Sequence, residues 1–132
     1  MGLDNGIGIT RNEYTNNIPE LKRFEQTYDK EHGYDFEAAY WRKCWGLRND
    51  VLDLIGKRWV DGWKWDVTKD DVDHIVELLK SYNSETWGDS IWDWDDEEYP
   101  YSEKVQRDAE NLKVLRELMN KYELEVYFYD SY

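Results

Sequence analysis

The chain has 132 residues, 30 of them acidic and 17 basic, a formal net charge of −13 and a mean hydropathy of −0.98. Its length suits one domain, 1–132, built on a single core, and eight Trp, eleven Tyr and three Phe exclude a solvated coil despite the polar average, because each aromatic buries a large area. The negative field repels nucleic-acid phosphates, so no direct nucleic-acid binding is expected, whereas a basic protein surface is a fitting partner.

Cys44 is the only cysteine, which rules out an internal disulfide and fits a reducing, cytoplasmic compartment. No stretch approaches the ~18 apolar residues of a membrane span, and the opening lacks the basic and apolar regions of a secretory leader. No membrane association is therefore expected.

The first residues, 1–13, alternate Ile7 and Ile9 with Gly6, Gly8 and Thr10, the pattern of a short strand with little side-chain bulk on one face. The glycine spacing fits neither phosphate-loop fingerprint. Pro19 suits a first helical turn, and Ile18, Leu21, Phe24 and Tyr28 share a face, predicting a helix over about 19–30 that Gly33 ends. His32, just before that glycine, reads as a surface residue.

The longest helical pattern runs from Asp35 to Gly56. Phe36, Tyr40, Cys44, Leu47, Val51, Leu54 and Ile55 recur at three- and four-residue steps and predict a buried face. Trp41, Arg42, Trp45, Arg48 and Leu52 form a neighbouring stripe. Next, Asp61-Gly62 between tryptophans predicts a hairpin turn, with Trp63, Trp65 and Val67 as a half-buried strand. Thr68 and Asp71 approximate a capping box flanked by Val67 and Val72 at the hydrophobic-staple positions, and Val72, Ile75, Val76 and Leu79 give the following helix its buried face. His74 shares that helix with Asp71 and Glu77. One histidine among carboxylates is a surface pattern and no metal site is expected.

Residues 83–101 are the most unusual stretch. Asp93, Asp95, Asp96, Glu97 and Glu98 place five carboxylates in six positions between Trp92, Trp94, Tyr99 and Tyr101. The central glycine of a calcium loop is missing. An acidic patch with aromatic anchors suits a basic protein cleft, and a solvated loop is the plain alternative. A final helix over 102–122 follows, with Val105, Ala109, Leu112, Leu115, Leu118 and Met119 inward. An aromatic strand over 123–130, apolar on both faces, then belongs in the interior of the sheet beside the first strand.

The order predicts an α+β fold: a small, mostly antiparallel sheet packed against three to four helices, with a long central helix over about 35–56. No nucleophile motif, zinc set or nucleotide fingerprint is present. No cofactor and no enzymatic activity are expected on that ground.

Met1-Gly2-Leu3-Asp4 and Tyr40-Trp41-Arg42-Lys43, with the aromatic finish Val126 to Tyr132, resemble a group of small bacteriophage and prophage proteins. Members carry the second motif on a helix. Their frequent aromatic after the opening is replaced here by Asn5-Gly6-Ile7. The resemblance implies a viral protein acting in the bacterial host cytoplasm and brings no activity with it. Two expectations follow. In the first, a non-enzymatic accessory protein binds and inhibits a host protein of defence or nucleic-acid-handling machinery through Trp92, Asp93, Trp94, Asp95, Asp96, Glu97, Glu98 and Tyr99. In the second, Trp41, Arg42, Lys43, Trp45 and Arg48 hold a nucleotide-like ligand by stacking and ion pairing.

Overall fold

The structure, a computed structural model, describes residues 4–25, 33–42, 45–56, 59–61, 64–81 and 101–131. Its elements run β1 (Asp4–Ile9), α1 (Glu13–Asn16), a 3-10 helix (Pro19–Phe24), β2 (Phe36–Arg42), α2 (Trp45–Ile55), β3 (Trp59–Asp61), β4 (Lys64–Asp66), α3 (Lys69–Ser81), α4 (Tyr101–Lys121) and β5 (Val126–Ser131). The strands form one antiparallel sheet in the order β2-β1-β5-β4-β3. This is the α+β class expected from the sequence, and the C-terminal strand does lie in the middle, hydrogen-bonded to β1 on one side and β4 on the other.

Alternation along the strands sorts the two faces of the sheet. Ile7 and Ile9 of β1, Phe36 and Trp41 of β2, and Val126 and Phe128 of β5 are buried in one core with Leu47, Val51 and Ile55 of α2, Ile75 and Leu79 of α3, and Leu112 and Leu115 of α4. Trp65 of β4 packs its ring 6.0 Å from Phe128. The opposite face carries Gly6, Gly8, Glu37, Tyr40, Lys64, Asp66, Tyr127 and Tyr129, as the register requires.

The long helix over 35–56 is the main correction. Its first third is β2, and among the described residues of this stretch the α-helix is Trp45–Ile55. The reason is a one-residue irregularity. Ile7 pairs with Ala39 but Gly8 pairs with Glu37, so Ala38 is an extra residue in β2. Such a bulge breaks the two-residue alternation, so Phe36 and Tyr40, whose four-residue spacing also fits a helix, fall on opposite faces of the sheet. Two alanines, strong helix formers, deepen the resemblance. Tyr40 and Leu54, assigned to the buried face, are in fact 42% and 41% exposed; Cys44 lies outside the described residues. The helix expected over 19–30 is a 3-10 segment as far as Phe24, with Ile18, Leu21 and Phe24 buried as their spacing requires. Gly33 turns the chain with φ of +70°, a conformation that side chains with a Cβ disfavour.

The start of α3 follows its sequence closely. The Asp71 amide donates to Thr68 Oγ1 at 3.2 Å, and the Thr68 amide donates back to Asp71 Oδ2 at 2.8 Å. Val67 and Val72 are both buried beside this box. Removing a capping hydroxyl leaves one end amide without its partner. Thr68→Ala is therefore expected to lower unfolding free energy by about 1 kcal/mol in urea denaturation.

Candidate functional site

The most distinctive surface lies on the sheet face opposite the helices, and it starts from Gly6 and Gly8. With no Cβ on these two residues, Tyr127 and Tyr129 of the neighbouring β5 lie down across β1. A Cβ on Gly8 would stand 2.5 Å from Tyr127 Cζ, and one on Gly6 would stand 2.8 Å from the Tyr129 hydroxyl. The rings then reach the carboxylates on and before β2. The Tyr127 hydroxyl donates to Asp35 Oδ2 at 2.6 Å, and the Tyr129 hydroxyl donates to Glu37 Oε2 at 2.7 Å. The two rings are tilted at 56° with centroids 6.5 Å apart.

Asp35 is held from its other side. The Arg11 amide donates to Asp35 Oδ1 at 2.9 Å, Arg11 Nε donates to the Tyr34 carbonyl at 2.6 Å, and the guanidinium stacks 4.1 Å from the centre of the Phe36 ring. Glu25 completes the clamp with an ion pair to Arg11 at 2.8 Å. Tyr34, 51% exposed, stands at the rim. From β4, the Lys64 ammonium sits 4.4 Å from the centroid of the Tyr127 ring. Tyr34, Asp35, Phe36, Glu37, Lys64, Tyr127, Tyr129 and Gly8 line a shallow cavity of about 300 Å³. Ligand pockets range upwards from about 300 Å³, so this one is the size for a side chain and not for a large cofactor.

Burial, followed by the hydrogen bond to Asp35, pushes the Tyr127 phenol well above the ordinary tyrosine range. The folded protein keeps that proton at a pH where the unfolded chain releases it. The resulting stabilisation is whole below the unfolded value of ~10 and is lost as pH rises from there towards the folded value. Thermal melts across roughly pH 8 to 11 should show the midpoint falling at the alkaline end. Tyr127→Phe should flatten that fall and lower the midpoint at neutral pH.

The residues singled out from sequence are placed differently. Trp92 to Tyr99, the acidic aromatic segment, lie outside the described residues. So do Lys43 and the side chains of Arg42 and Trp45. Trp41 is on β2, not on a helix, and its ring is fully buried; Nε1 donates to Asp108 Oδ2 of α4 at 2.9 Å. Arg48 of α2 donates through Nε to Asp130 Oδ2 at 2.7 Å. Trp41 therefore offers no ring face for stacking, and Arg48 has its charge answered by a buried carboxylate. They are inner-face residues because β2 turns Trp41 towards α4. His74 is exposed, and Asp71 beside it serves the helix cap. Among the described residues no group of His, Cys, Asp and Glu is set to hold a metal ion.

Sequence reasoning missed Asp35, Glu37, Tyr127 and Tyr129 as a set. The available signal was the Gly-x-Gly of β1, whose bare face needs large neighbours on an adjacent strand. No family model, curated protein or solved structure matches this chain. Among the described residues no helix is long and apolar enough to cross a membrane.

Proposed function

We propose that the protein is a non-enzymatic accessory protein of bacteriophage type that binds, and thereby inhibits, a host protein bearing a basic surface. The observation that carries this reading is the tyrosine floor on Gly6 and Gly8, edged by Asp35 and Glu37. Rings pinned by their own hydroxyls lose little freedom on binding, which favours an interface built on them. Tyrosine is among the residues that dominate interface energetics. The carboxylates and the net charge of −13 select a basic partner and speed its approach. The acidic run from Asp93 to Glu98 supplies part of that net charge.

The test is retention of basic host proteins on the immobilised protein across a salt series. Retention should weaken with salt, and Glu37→Lys with Asp66→Lys should abolish it while the far-ultraviolet circular dichroism is unchanged. Retention that is indifferent both to salt and to the double reversal counts against the reading. Changing Asp93, Asp95, Asp96, Glu97 and Glu98 to Asn and Gln measures the share of the second acidic segment.

A further inference from the structure

We infer that Asn5-Gly6 is a self-modifying site. The folded sheet holds it closed; once β1 leaves the sheet, the Asn5 side-chain amide is lost by spontaneous deamidation and the strand no longer pairs as before.

The sequence puts the reacting groups side by side. Asn5 is the only asparagine followed by glycine. Glycine has no Cβ to crowd its own nitrogen, and it has the widest backbone freedom in an unfolded chain. In that chain the Gly6 backbone nitrogen attacks Asn5 Cγ. The new bond replaces the one from Cγ to Nδ2, which leaves as ammonia with the proton given up by the Gly6 amide, and a five-membered succinimide is formed. Water, the sole co-reactant, then adds to one of the two ring carbonyls. Opening at Cγ restores the main chain with Asp at position 5. Opening at the other carbonyl routes the main chain through Cγ as isoaspartate.

The fold blocks the first step through the backbone. Asn5 is paired with Trp41 of β2 on one side and Asp130 of β5 on the other, and Gly6 is paired with Tyr40 and Tyr129. Ring closure needs the Gly6 nitrogen eclipsed with Cβ about the Asn5 Cα–C bond, and an extended strand turns that nitrogen away. Reaching the reactive geometry means breaking the ladder around β1. Asn5 is also fully buried, which keeps out the water of the second step. No hydrogen bond of the amide contributes, since Oδ1 and Nδ2 both lack a partner. Closure is therefore a property of the sheet and not of any contact made by the side-chain amide.

Neither product fits the place of the amide. An Asp at position 5 sets a second buried carboxylate opposite Asp130, whose Oδ1 is already without a hydrogen-bond partner and whose Oδ2 is engaged by Arg48. Like charges so placed disfavour the folded form. An isoaspartate adds one backbone carbon to β1, so Ile7 and Ile9 lose their register with Phe128 and Val126. Conversion thus turns a reversible departure of β1 into a permanent loss of the native sheet.

The test incubates the protein at mildly alkaline pH in native buffer and, in parallel, in urea, and follows the peptide containing Asn5 by mass spectrometry. In urea that peptide should gain one dalton and divide into Asp and isoaspartate forms, ahead of every other asparagine. In native buffer the conversion should be slower by about a hundredfold or more, since only the small open population reacts. On dilution from urea the refolded fraction should fall in step with the converted fraction. Gly6→Ala separates the chemistry from the fold: in urea, where its effect on folding does not enter, it should slow the conversion. Conversion as fast in native buffer as in urea overturns the inference, and so does a Gly6→Ala chain that converts like the parent in urea. Converted chains that regain the parental circular dichroism and urea midpoint overturn the permanent loss.

Discussion

Gly6→Ala is expected to destabilise the fold by about 3 kcal/mol, at the upper end for an overpacked site. The new methyl would stand far inside contact distance of the Ala39 carbonyl oxygen and 2.8 Å from the Tyr129 hydroxyl. The first neighbour is backbone of β2, held in the ladder with β1, and it has no rotamer to change. Relief requires the two strands to separate next to the bulge at Ala38, where the register already shifts. Gly8→Ala is expected to cost less, because the three nearest neighbours of its Cβ all belong to the Tyr127 side chain. That ring swings away at the expense of its hydrogen bond to Asp35. The comparison has an internal control. Combining Gly8→Ala with Tyr127→Ala should cost less than the sum of the two single changes, a coupling that Gly6→Ala does not share with Tyr127→Ala. Urea denaturation of the parent, the three single variants and the two doubles decides the matter. If Gly6→Ala is no worse than Gly8→Ala, the close approach of β2 is not what demands glycine at position 6.

What the sequence disclosed depended on whether the cause was local. The box of Thr68 and Asp71 and the staple positions Val67 and Val72 are local, and α3 begins where they say. The aromatic run ending in Asp130 carried enough apolar side chains on both faces to place β5 inside the sheet, and Gly-x-Gly marked β1 as a strand with one bare face. β2 was hidden because its alternation is interrupted by one extra residue, Ala38, and a bulge is defined by the partner strand and not by the bulged strand alone. The helical period therefore extends from α2 back over β2 and sets Trp41 and Arg48 on one face of one helix. In the fold Trp41 answers to Asp108 and Arg48 to Asp130.

The tyrosine floor was illegible for a related reason. Tyr127 and Tyr129 read correctly as strand residues, yet their partners Asp35 and Glu37 are 92 positions away along the chain. Among 30 acidic residues nothing in the sequence distinguishes those two. Only the order β2-β1-β5, with a glycine strand in the middle, brings hydroxyl and carboxylate within reach across an intervening strand. The chemistry of the site is thus a property of strand order, the least local feature of the fold.

Arg48→Ala is expected to be the most damaging single change on the inner face, costing about 3–5 kcal/mol. Across the sheet Trp41, Asn5 and Asp130 stand in one row, since Asn5 faces Trp41 in β2 and Asp130 in β5. Asp130 is buried, with Oδ2 accepting from Arg48 Nε at 2.7 Å and Oδ1 without a hydrogen-bond partner. Both polar atoms of the buried Asn5 side chain are likewise unpartnered. Taking away the guanidinium leaves a carboxylate with neither charge nor hydrogen bond to answer it, in a setting where desolvation is not recovered. Asp130→Asn should cost less, because Arg48 retains some access to water and a second hydrogen bond, from Nη1 to Asn49 Oδ1 at 3.2 Å. Arg48→Met combined with Asp130→Leu replaces the pair by apolar groups of similar length and should return to within about 1 kcal/mol of the parent, since the desolvation cost goes with the charges. Adding Asn5→Leu should then raise stability further, by about 1–3 kcal/mol, as two orphaned polar atoms give way to a methyl pair. Equilibrium unfolding of the four variants gives the order directly. A double variant as unstable as Arg48→Ala would mean that Arg48 acts through the packing of its side chain, and that Asp130 is not the reason for its position.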